Sequence, residues 1–253
     1  MKKLILAIAV AMMGLGSNAM ARELPNPILN FGVHVGIGTA QYWDCPPAFL
    51  VGKDDWGGLA VDLGGVMKFN INEVVNFLTE LNIGLNTVSR DIVRSHTRYG
   101  FYTQEETRTI LKTDIPFLIR VKPKDFIFVD MGAQLNFNFW YTNTKEYRDE
   151  YGQSIRVNGD VEKWDVKTHV TSLVFGFGIG GRIGDMGVRF ILDLDRINKN
   201  DRIVYYDDGE EITLIEDAKN ITGSNRVPTS LDNKTKMWSV QFVVNYYFGN
   251  GYI

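Results

Sequence analysis

The side chains best suited to chemistry are two histidines in polar surroundings. His96 lies close in sequence to Asp91 and Ser95, and His169 follows Thr168. A histidine with a carboxylate and a hydroxyl nearby is the residue set of a hydrolytic site, in which the ring takes a proton from the nucleophile. Neither histidine lies in a recognisable catalytic motif. We therefore expect no catalytic residue and no enzymatic activity.

Two further stretches resemble ligand sites in composition alone. Gly176, Gly178, Gly180 and Gly181 have the density of a phosphate loop, but no helix pattern follows them, as a dinucleotide site would require. The acidic run over 207–211 offers carboxylates, which suit hard cations, but its spacing is not that of a calcium loop. We expect a solvated acidic loop, no metal site and no cofactor.

The composition sets the scale of the fold and excludes one class of partner. The chain has 253 residues, a mass of 28.7 kDa and a formal net charge of -3. It therefore lacks the basic surface that nucleic-acid binding requires, and it is long enough for one domain or two small ones. Its single cysteine cannot form an internal disulfide. Stability therefore rests on packing and hydrogen bonding.

The N-terminus has the pattern of a secretory signal peptide. Lys2 and Lys3 precede an apolar run over 4–15, and Ala19 and Ala21 form a small-x-small cleavage pattern. The apolar run is shorter than the ~20 residues that a membrane-spanning helix needs. We expect residues 1–21 to be a signal peptide, cleaved after Ala21, and residues 22–253 to be one exported domain.

Beyond residue 21 the dominant pattern is period-two alternation, which places successive side chains on opposite faces of a strand. In each segment one face is apolar and carries no charged residue, whereas the other carries polar and charged side chains. The eight segments cover residues 30–39, 58–69, 74–86, 109–121, 126–141, 170–181, 187–197 and 238–249. A soluble sandwich or barrel also alternates, so this pattern alone leaves the direction of the apolar face open.

Segment and connection lengths favour an apolar face that meets lipid. Most segments have the ~9–11 residues that a tilted transmembrane strand needs. Short connections, centred on 70–73, 122–125 and 182–186, alternate with long ones over 40–56, 90–108, 142–167 and 198–236. Bacterial outer-membrane barrels have short periplasmic turns and longer loops outside. We therefore predict an all-β fold, an eight-stranded antiparallel up-and-down transmembrane β-barrel with short periplasmic turns and long extracellular loops, located in a bacterial outer membrane.

Aromatic residues collect at both ends of the predicted strands, as expected at the two interfaces of a bilayer. These membrane-interface aromatics are Phe31, Phe69, Tyr246 and Phe248 at the short-turn side, and Trp140, Tyr141 and Trp238 at the long-loop side. The last segment must pair with the first, because an open sheet edge in lipid leaves backbone groups unpaired at a cost of several kcal/mol each. Its terminal aromatic resembles the signal read by outer-membrane assembly machinery, an expected partner during biogenesis.

Charged side chains on the polar faces predict a network inside the barrel. An eight-stranded barrel is about wide enough for its side chains to fill, so inward carboxylates and basic groups should pair across it. The predicted members are Glu80, Lys112, Asp114, Arg120, Asp130, Arg189 and Asp193. We expect Arg120 to pair with Glu80, Asp114 or Asp130, and Arg189 to pair with Asp193. Alternatively, inward glycines of the first and sixth segments leave a narrow water path.

A family resemblance lies in the fourth to eighth segments. Residues 113–139, TDIPFLIRVKPKDFIFVDMGAQLNFNF, with Ile115-Pro116 and Gly132, resemble the core of the PorT-like outer-membrane β-barrel family common in Bacteroidetes. Residues 175–197, with their glycine run, and the terminal VQFVVNYYFG resemble that family's later strands. The resemblance implies an eight-stranded barrel. It implies no single function, although a few members resemble components needed for type IX secretion.

The long loops are the part of the chain available for recognition, since they are polar and carry several tyrosines. We expect a non-enzymatic barrel with a structural or interaction role through its surface loops, in adhesion or envelope organisation. The alternatives are an accessory component of type IX protein secretion and a narrow passive channel. Expected partners are outer-membrane lipid and envelope or secretion proteins, but not nucleic acid.

Overall fold

The computed structural model describes residues 29–43, 57–96, 100–124, 126–149, 151–154, 166–181, 183–197, 205–207, 210–212 and 235–248. The described strands are β1 (Leu29–Trp43), β2 (Gly57–Asn70), β3 (Val75–His96), β4 (Gly100–Lys124), β5 (Ile127–Asp149), β6 (His169–Gly180), β7 (Gly184–Asp193), β8 (Tyr205–Asp207), β9 (Glu210–Ile212) and β10 (Lys236–Phe248). No helix in these ranges is long and apolar enough to cross a membrane. The signal peptide predicted over 1–21, with Ala19 and Ala21 at its cleavage site, lies outside the described residues.

Eight of these strands close into an antiparallel barrel with the ring order β1–β10–β7–β6–β5–β4–β3–β2. The first and last strands close the ring, from Phe31 opposite Phe248 to Trp43 opposite Lys236. The short strands β8 and β9 form a separate hairpin within the connection between β7 and β10. The predicted all-β, eight-stranded up-and-down fold is confirmed.

The outward-facing side chains of the barrel are apolar, and many of the inward-facing ones are polar. Leu63, Leu81, Ile83 and Met131 point outward and each expose 61–62% of their surface. The inward positions between them are buried and include many polar and charged side chains. Large aliphatic residues are among those most often buried in soluble proteins. A wall of them around the outside of a barrel is instead the pattern of an outer-membrane barrel in contact with lipid.

Tight connections define one end of the barrel, which we call the short-turn end. They join β2 to β3, β4 to β5 and β6 to β7. In the first of them, the Asn72 side chain accepts hydrogen bonds from the backbone N–H groups of Val74 (2.9 Å) and Val75 (2.7 Å). Such local bonding is the reason that asparagine favours turns. The predicted short turns are confirmed, and the opposite end of the barrel is called the far end below.

Three strands run well beyond the length that a bilayer requires. Strands β3, β4 and β5 have 22, 25 and 23 residues, compared with ~9–11 for a tilted transmembrane strand. They stay paired as far as His96 opposite Gly100 and Tyr102 opposite Asp149, and so form a three-stranded extension at the far end. Much of the loops predicted over 90–108 and 142–167 is therefore strand. That part of the prediction is wrong because backbone pairing continues where the apolar face stops.

A β-bulge in β5 lies where the apolar face ends. Leu111 is opposite Trp140 and Lys112 is opposite Asn138, which leaves Phe139 as the extra residue. Phe139 and Trp140 are both exposed, by 58% and 50%, because the bulge interrupts the alternation that would turn one of them inward. It therefore presents two consecutive aromatic side chains on the outer wall.

Strand β7 is displaced from its predicted bounds. It covers Gly184–Asp193 rather than 187–197, so Asp185, which was assigned to a turn, points inward and is buried. Asp195, which the alternation placed inward, is exposed, and its Oδ2 accepts a hydrogen bond from the Thr171 backbone N–H at 2.9 Å. The alternation in sequence continues past Asp193, the last β7 residue paired with β6, and this is why the prediction overran.

Candidate functional site

The lumen is the candidate functional site, because the barrel gathers its polar side chains there. Every second residue of a strand points inward, and the buried polar and charged residues of the ring fall on these positions. Charged groups buried in this way require partners. The side chains predicted for the polar network are all buried, each with 5% exposure or less: Glu80, Lys112, Asp114, Arg120, Asp130, Arg189 and Asp193.

Arg120 is the centre of a charged cluster near the short-turn end. Its Nε and Nη2 donate to the two carboxylate oxygens of Asp130 at 2.7 and 2.9 Å, which is a bidentate pair. Its Nη1 donates to Asp185 Oδ2, which also accepts a hydrogen bond from the Tyr247 hydroxyl. One guanidinium therefore bonds carboxylates from β5 and β7. Of the three partners predicted for Arg120, the structure places Asp130 against it.

Aromatic rings lie against the cations of this cluster. The guanidinium carbon of Arg120 is 3.5 Å from the ring centre of Phe128, and Lys68 Nζ is 3.7 Å from the ring centre of Tyr247. All four side chains are buried, and the attraction between a cation and an aromatic face is strongest when both are desolvated. The short-turn end of the lumen is therefore filled by rings stacked on cations.

Glu80 and Arg189 form an ion pair that spans the lumen from β3 to β7. Arg189 Nη1 and Nη2 donate to the two carboxylate oxygens of Glu80 at 2.9 and 2.8 Å, and Asn82 Nδ2 donates to Glu80 Oε2 at 3.0 Å. The predicted pairing of Arg189 with Asp193 is not found, since residues four apart on one strand are separated by about 13 Å. Asp193 instead accepts a hydrogen bond from Ser172 Oγ at 2.6 Å.

His34 lies beside this ion pair. Its Nε2 is 2.7 Å from Asp62 Oδ1, and its Nδ1 is 2.7 Å from Asn245 Oδ1 and 3.5 Å from Glu80 Oε2. Both ring nitrogens face side-chain oxygens, so a doubly protonated ring would donate to each of them. Alternation along the first segment places His34 on the inward face, but sequence reasoning gave it no role. The sequence feature that could have identified it is its position as the one large side chain among the inward glycines at the start of β1.

Lys112 is the cation of a third cluster, closer to the far end. Its Nζ lies 3.0 Å from Asp114 Oδ2 and 3.5 Å from Asn136 Oδ1. Asn136 Nδ2 donates to Ser172 Oγ at 2.6 Å, and Ser172 in turn donates to Asp193 Oδ1 at 2.6 Å. These hydrogen bonds link β4, β5, β6 and β7 in one chain.

An apolar layer fills the lumen at the far end, and we call it the apolar plug. Its members are Ala40, Tyr42, Ala60, Val88, Ile110, Val166, Ile197 and Met237. Val166 and Ile197 belong to the connections rather than the strands. The Lys167 N–H donates to the Ile197 carbonyl at 2.7 Å, and the Ile197 N–H donates to the Thr235 carbonyl at 2.8 Å. The plug is therefore held by backbone hydrogen bonds as well as by packing.

Side chains from neighbouring strands occupy the space beside two of the inward glycines, Gly36 and Gly178. A Cβ added to Gly36 in β1 would lie 2.2 Å from Asp62 Oδ1, and one added to Gly178 in β6 would lie 2.6 Å from the Phe128 ring. Each glycine therefore makes room for a longer side chain from a neighbouring strand. The narrow-channel alternative stays a prediction.

The other candidate groups are spread over different strands and connections. His169 is exposed at the start of β6, and the side chain of His96, at the end of β3, is outside the described set. The glycine-rich run over 176–181 lies mostly in β6, and the acidic run over 207–211 falls on the β8–β9 hairpin, of which 208 and 209 are not described. Within the described residues, no group of three or more His, Cys, Asp and Glu side chains could hold a metal ion.

The predicted membrane-interface aromatics lie towards the two ends of the barrel. The exposed ones are Phe31, Phe69, Tyr246 and Phe248 at the short-turn end, and Trp140 and Tyr141 at the far end, whereas Trp238 is half-buried at the far end. Phe31 is opposite Phe248 at the closure of the ring, and the Tyr246 and Phe248 rings pack edge to face at 5.9 Å. Their assignment to the two bilayer interfaces stays a prediction.

The members of the lumen network that sequence reasoning missed include Asp185 and Tyr247. Asp185 was missed because the strand was predicted to start too late. Tyr247 was placed on the polar face of the last segment without a role. The sequence feature that could have identified Tyr247 is that it is the one aromatic residue on that face. In the structure it fills a position against Lys68 that a smaller polar side chain would leave open.

Comparison with known proteins gives similarity at the level of the barrel only. No protein-family model matches the chain, and no curated protein matches it. A crystal structure of Ail, the attachment invasion locus protein of Yersinia pestis, is similar with 9% identity and a TM-score of 0.32 over 87% of this chain and 98% of that one. The outer membrane protease OmpT of Escherichia coli is similar with 9% identity and a TM-score of 0.35 over 90% and 99%. The PorT-like resemblance stays a prediction.

The expectation that this chain is not an enzyme is corrected by these comparisons. One of the similar structures is a protease, so a barrel of this kind is no ground for excluding enzymatic activity. One fold serves many functions, and with 9% identity and a TM-score of 0.35 the similarity assigns no proteolytic activity to this chain.

Proposed function

We propose that this protein is an outer-membrane barrel that acts through its extracellular part, in adhesion or envelope organisation. The observation that carries the proposal is the three-stranded extension of β3, β4 and β5 at the far end. These strands have 22–25 residues, about twice the number that crosses a bilayer. On their outer face the apolar residues give way to threonine, serine and glutamate. A paired sheet of this length outside the membrane is a stable platform for contact with a partner.

The filled lumen supports a role in recognition rather than in transport. Its cations lie against carboxylates or aromatic rings at both the Arg120 and the Arg189 clusters. The apolar plug lies at the far end and stacked rings lie at the short-turn end. An open path would require several of these groups to move together, and a buried charge separated from its partner costs about 3–5 kcal/mol. The network therefore serves to hold the barrel closed.

The test removes the β3 and β4 parts of the extension and leaves the barrel. Arg90 and Glu106 are cross-strand partners, so residues 91–105 can be replaced by Asn-Gly, which forms a two-residue hairpin turn. This deletion keeps the buried ion pair between Glu106 and Arg108. Insertion of the variant in the outer membrane is checked by the difference in gel mobility between heated and unheated samples. Attachment of cells to surfaces and to other cells, and survival in detergent, are then compared with the full-length protein. Unchanged attachment and survival with an inserted variant would refute the proposal.

Two further measurements separate the alternatives. We expect no steady conductance from the purified protein in planar bilayers, and a stable open level would favour a channel. We expect normal secretion by cells that lack the protein, and loss of secreted cargo would favour the type IX secretion role that the PorT-like resemblance implies.

A further inference from the structure

The outer face of the extension carries a regular array of hydroxyl groups, which we call the hydroxyl grid. It consists of two rows across three strands, Thr87, Thr109 and Thr142 in the lower row and Ser89, Thr107 and Thr144 in the upper row. All of these side chains are half-buried or exposed. Because directly paired residues point to the same side of a sheet, the strand register places all six hydroxyls on one surface.

Four of the six hydroxyls of the grid are already ordered by one another. Thr87 Oγ1 and Thr109 Oγ1 are 3.2 Å apart, and Ser89 Oγ and Thr107 Oγ1 are 2.9 Å apart. Within each pair one O–H group serves as the donor, so the other O–H group and several lone pairs are directed to the surroundings. A ligand that meets the grid therefore finds donors and acceptors that are held in place.

The grid begins where the lipid-facing wall ends. The row immediately below it is Leu85, Leu111 and Trp140, with Phe139 turned outward by the bulge. One step of two residues along a strand is about 7 Å, and a headgroup layer is roughly 5–7 Å thick on each side of the hydrocarbon core. With the tilt of the strands, the lower row falls inside the headgroup layer and the upper row falls at its outer margin.

The charges around the grid indicate which kind of lipid headgroup it could bind. The six grid residues carry no cation, and phosphate groups are recognised chiefly by arginine and lysine. Above the grid lie Glu105 and Glu146, with Arg148 3.8 and 3.2 Å from their carboxylates. Among the side chains that the structure describes, the cation nearest the grid on this face is thus already paired. A neutral, polyhydroxylated headgroup next to an exposed indole fits this surface, and an anionic headgroup does not.

We propose that the hydroxyl grid binds the saccharide headgroup of an outer-leaflet glycolipid. The inference rests on the proposed function for placing the extension outside the membrane, and it names a partner for that part of the protein. The saccharide hydroxyls exchange hydrogen bonds with Thr107 and Thr109, the acyl chains lie along Leu85 and Leu111, and the Trp140 ring covers the junction between them.

The test compares lipid retention by the full-length protein and two variants. T107V/T109V removes two hydroxyls from the grid with little change in shape. The matched control, T113V, removes the outward hydroxyl of a half-buried residue on the same strand below the grid. Each protein is reconstituted in vesicles of phosphatidylcholine and digalactosyl diacylglycerol with identical acyl chains. It is then extracted in mild detergent, and its retained lipids are counted by native mass spectrometry.

We expect the wild type and T113V to prefer the glycolipid over phosphatidylcholine by about fivefold, as about one net hydrogen bond would give. We expect T107V/T109V to show no preference. Equal retention by all three proteins would overturn the inference, and so would displacement of the glycolipid by free digalactose at similar concentration, which would indicate a site for a soluble sugar. If the full-length protein retains the glycolipid but the deletion leaves attachment and survival unchanged, the proposed function is refuted while this inference stands.

Discussion

Replacement of Arg120 by methionine tests whether the charged lumen stabilises the barrel. Arg120 is 1% exposed and bonds two carboxylates, those of Asp130 and Asp185. Methionine keeps part of the stem that packs on Phe128 but leaves both carboxylates without the guanidinium. Removing one partner of a buried ion pair costs about 3–5 kcal/mol. Because two carboxylates lose their partner, we expect a loss of about 5 kcal/mol, or between three and four powers of ten in the unfolding equilibrium constant.

The matched control is the same substitution at Arg148. This arginine also has two carboxylate partners, at 3.2 Å for Glu146 and 3.8 Å for Glu105, but its side chain is 53% exposed. Surface pairs contribute about 0–1 kcal/mol, so R148M should unfold like the wild type. Both variants are unfolded by urea in detergent micelles, with tryptophan fluorescence as the signal. Equal stability of R120M and R148M would refute the reasoning.

Two further substitutions test packing and the lipid-facing wall. G36A should destabilise the barrel by about 1–3 kcal/mol, because its Cβ would meet the Asp62 carboxylate at 2.2 Å. In the control G65A, the added Cβ meets nothing closer than 3.9 Å, so this variant should be neutral. Urea unfolding measures both variants, and a neutral G36A would contradict the close packing of Gly36 against Asp62. L81R, in the middle of the exposed wall, should cost about 2–4 kcal/mol when the protein folds into lipid vesicles, whereas T144R on the extension should cost little. Equal folding of the two arginine variants would mean that the wall does not face lipid.

Much of the fold is predictable because lipid and water impose opposite demands on the two faces of each strand. The eight outward faces, such as Phe31–Ile37 in β1, could be read from alternation alone, and so could the short turns. The prediction of strand ends failed where the strands leave the lipid, because lipid no longer requires an apolar outer face there. Beyond Leu85 in β3 and Leu111 in β4, the outward face no longer needs to be apolar, so alternation faded while backbone pairing continued for many residues.

The lumen was predictable in its membership but less so in its pairs. Alternation shows that Glu80, Arg120, Asp130 and Arg189 point inward, since a strand has only two faces. It does not give the height at which residues of distant strands meet, which depends on the stagger of the ring. The Glu80–Arg189 pair joins residues 109 positions apart, and no local pattern carries that information.

The filled glycine positions constrain which sequence changes the barrel tolerates. At Gly180, an added Cβ would lie 2.1 Å from Asp185 Oδ1 on the adjacent strand, just as one at Gly36 would meet Asp62. A side chain can grow at such a glycine only when its neighbour on the adjacent strand becomes shorter. Among homologous chains, these positions should therefore change in pairs, with glycine and the long polar residue exchanging strands or being lost together. Such paired substitutions would mark strand neighbours even in sequences that diverge everywhere on the lipid-facing wall.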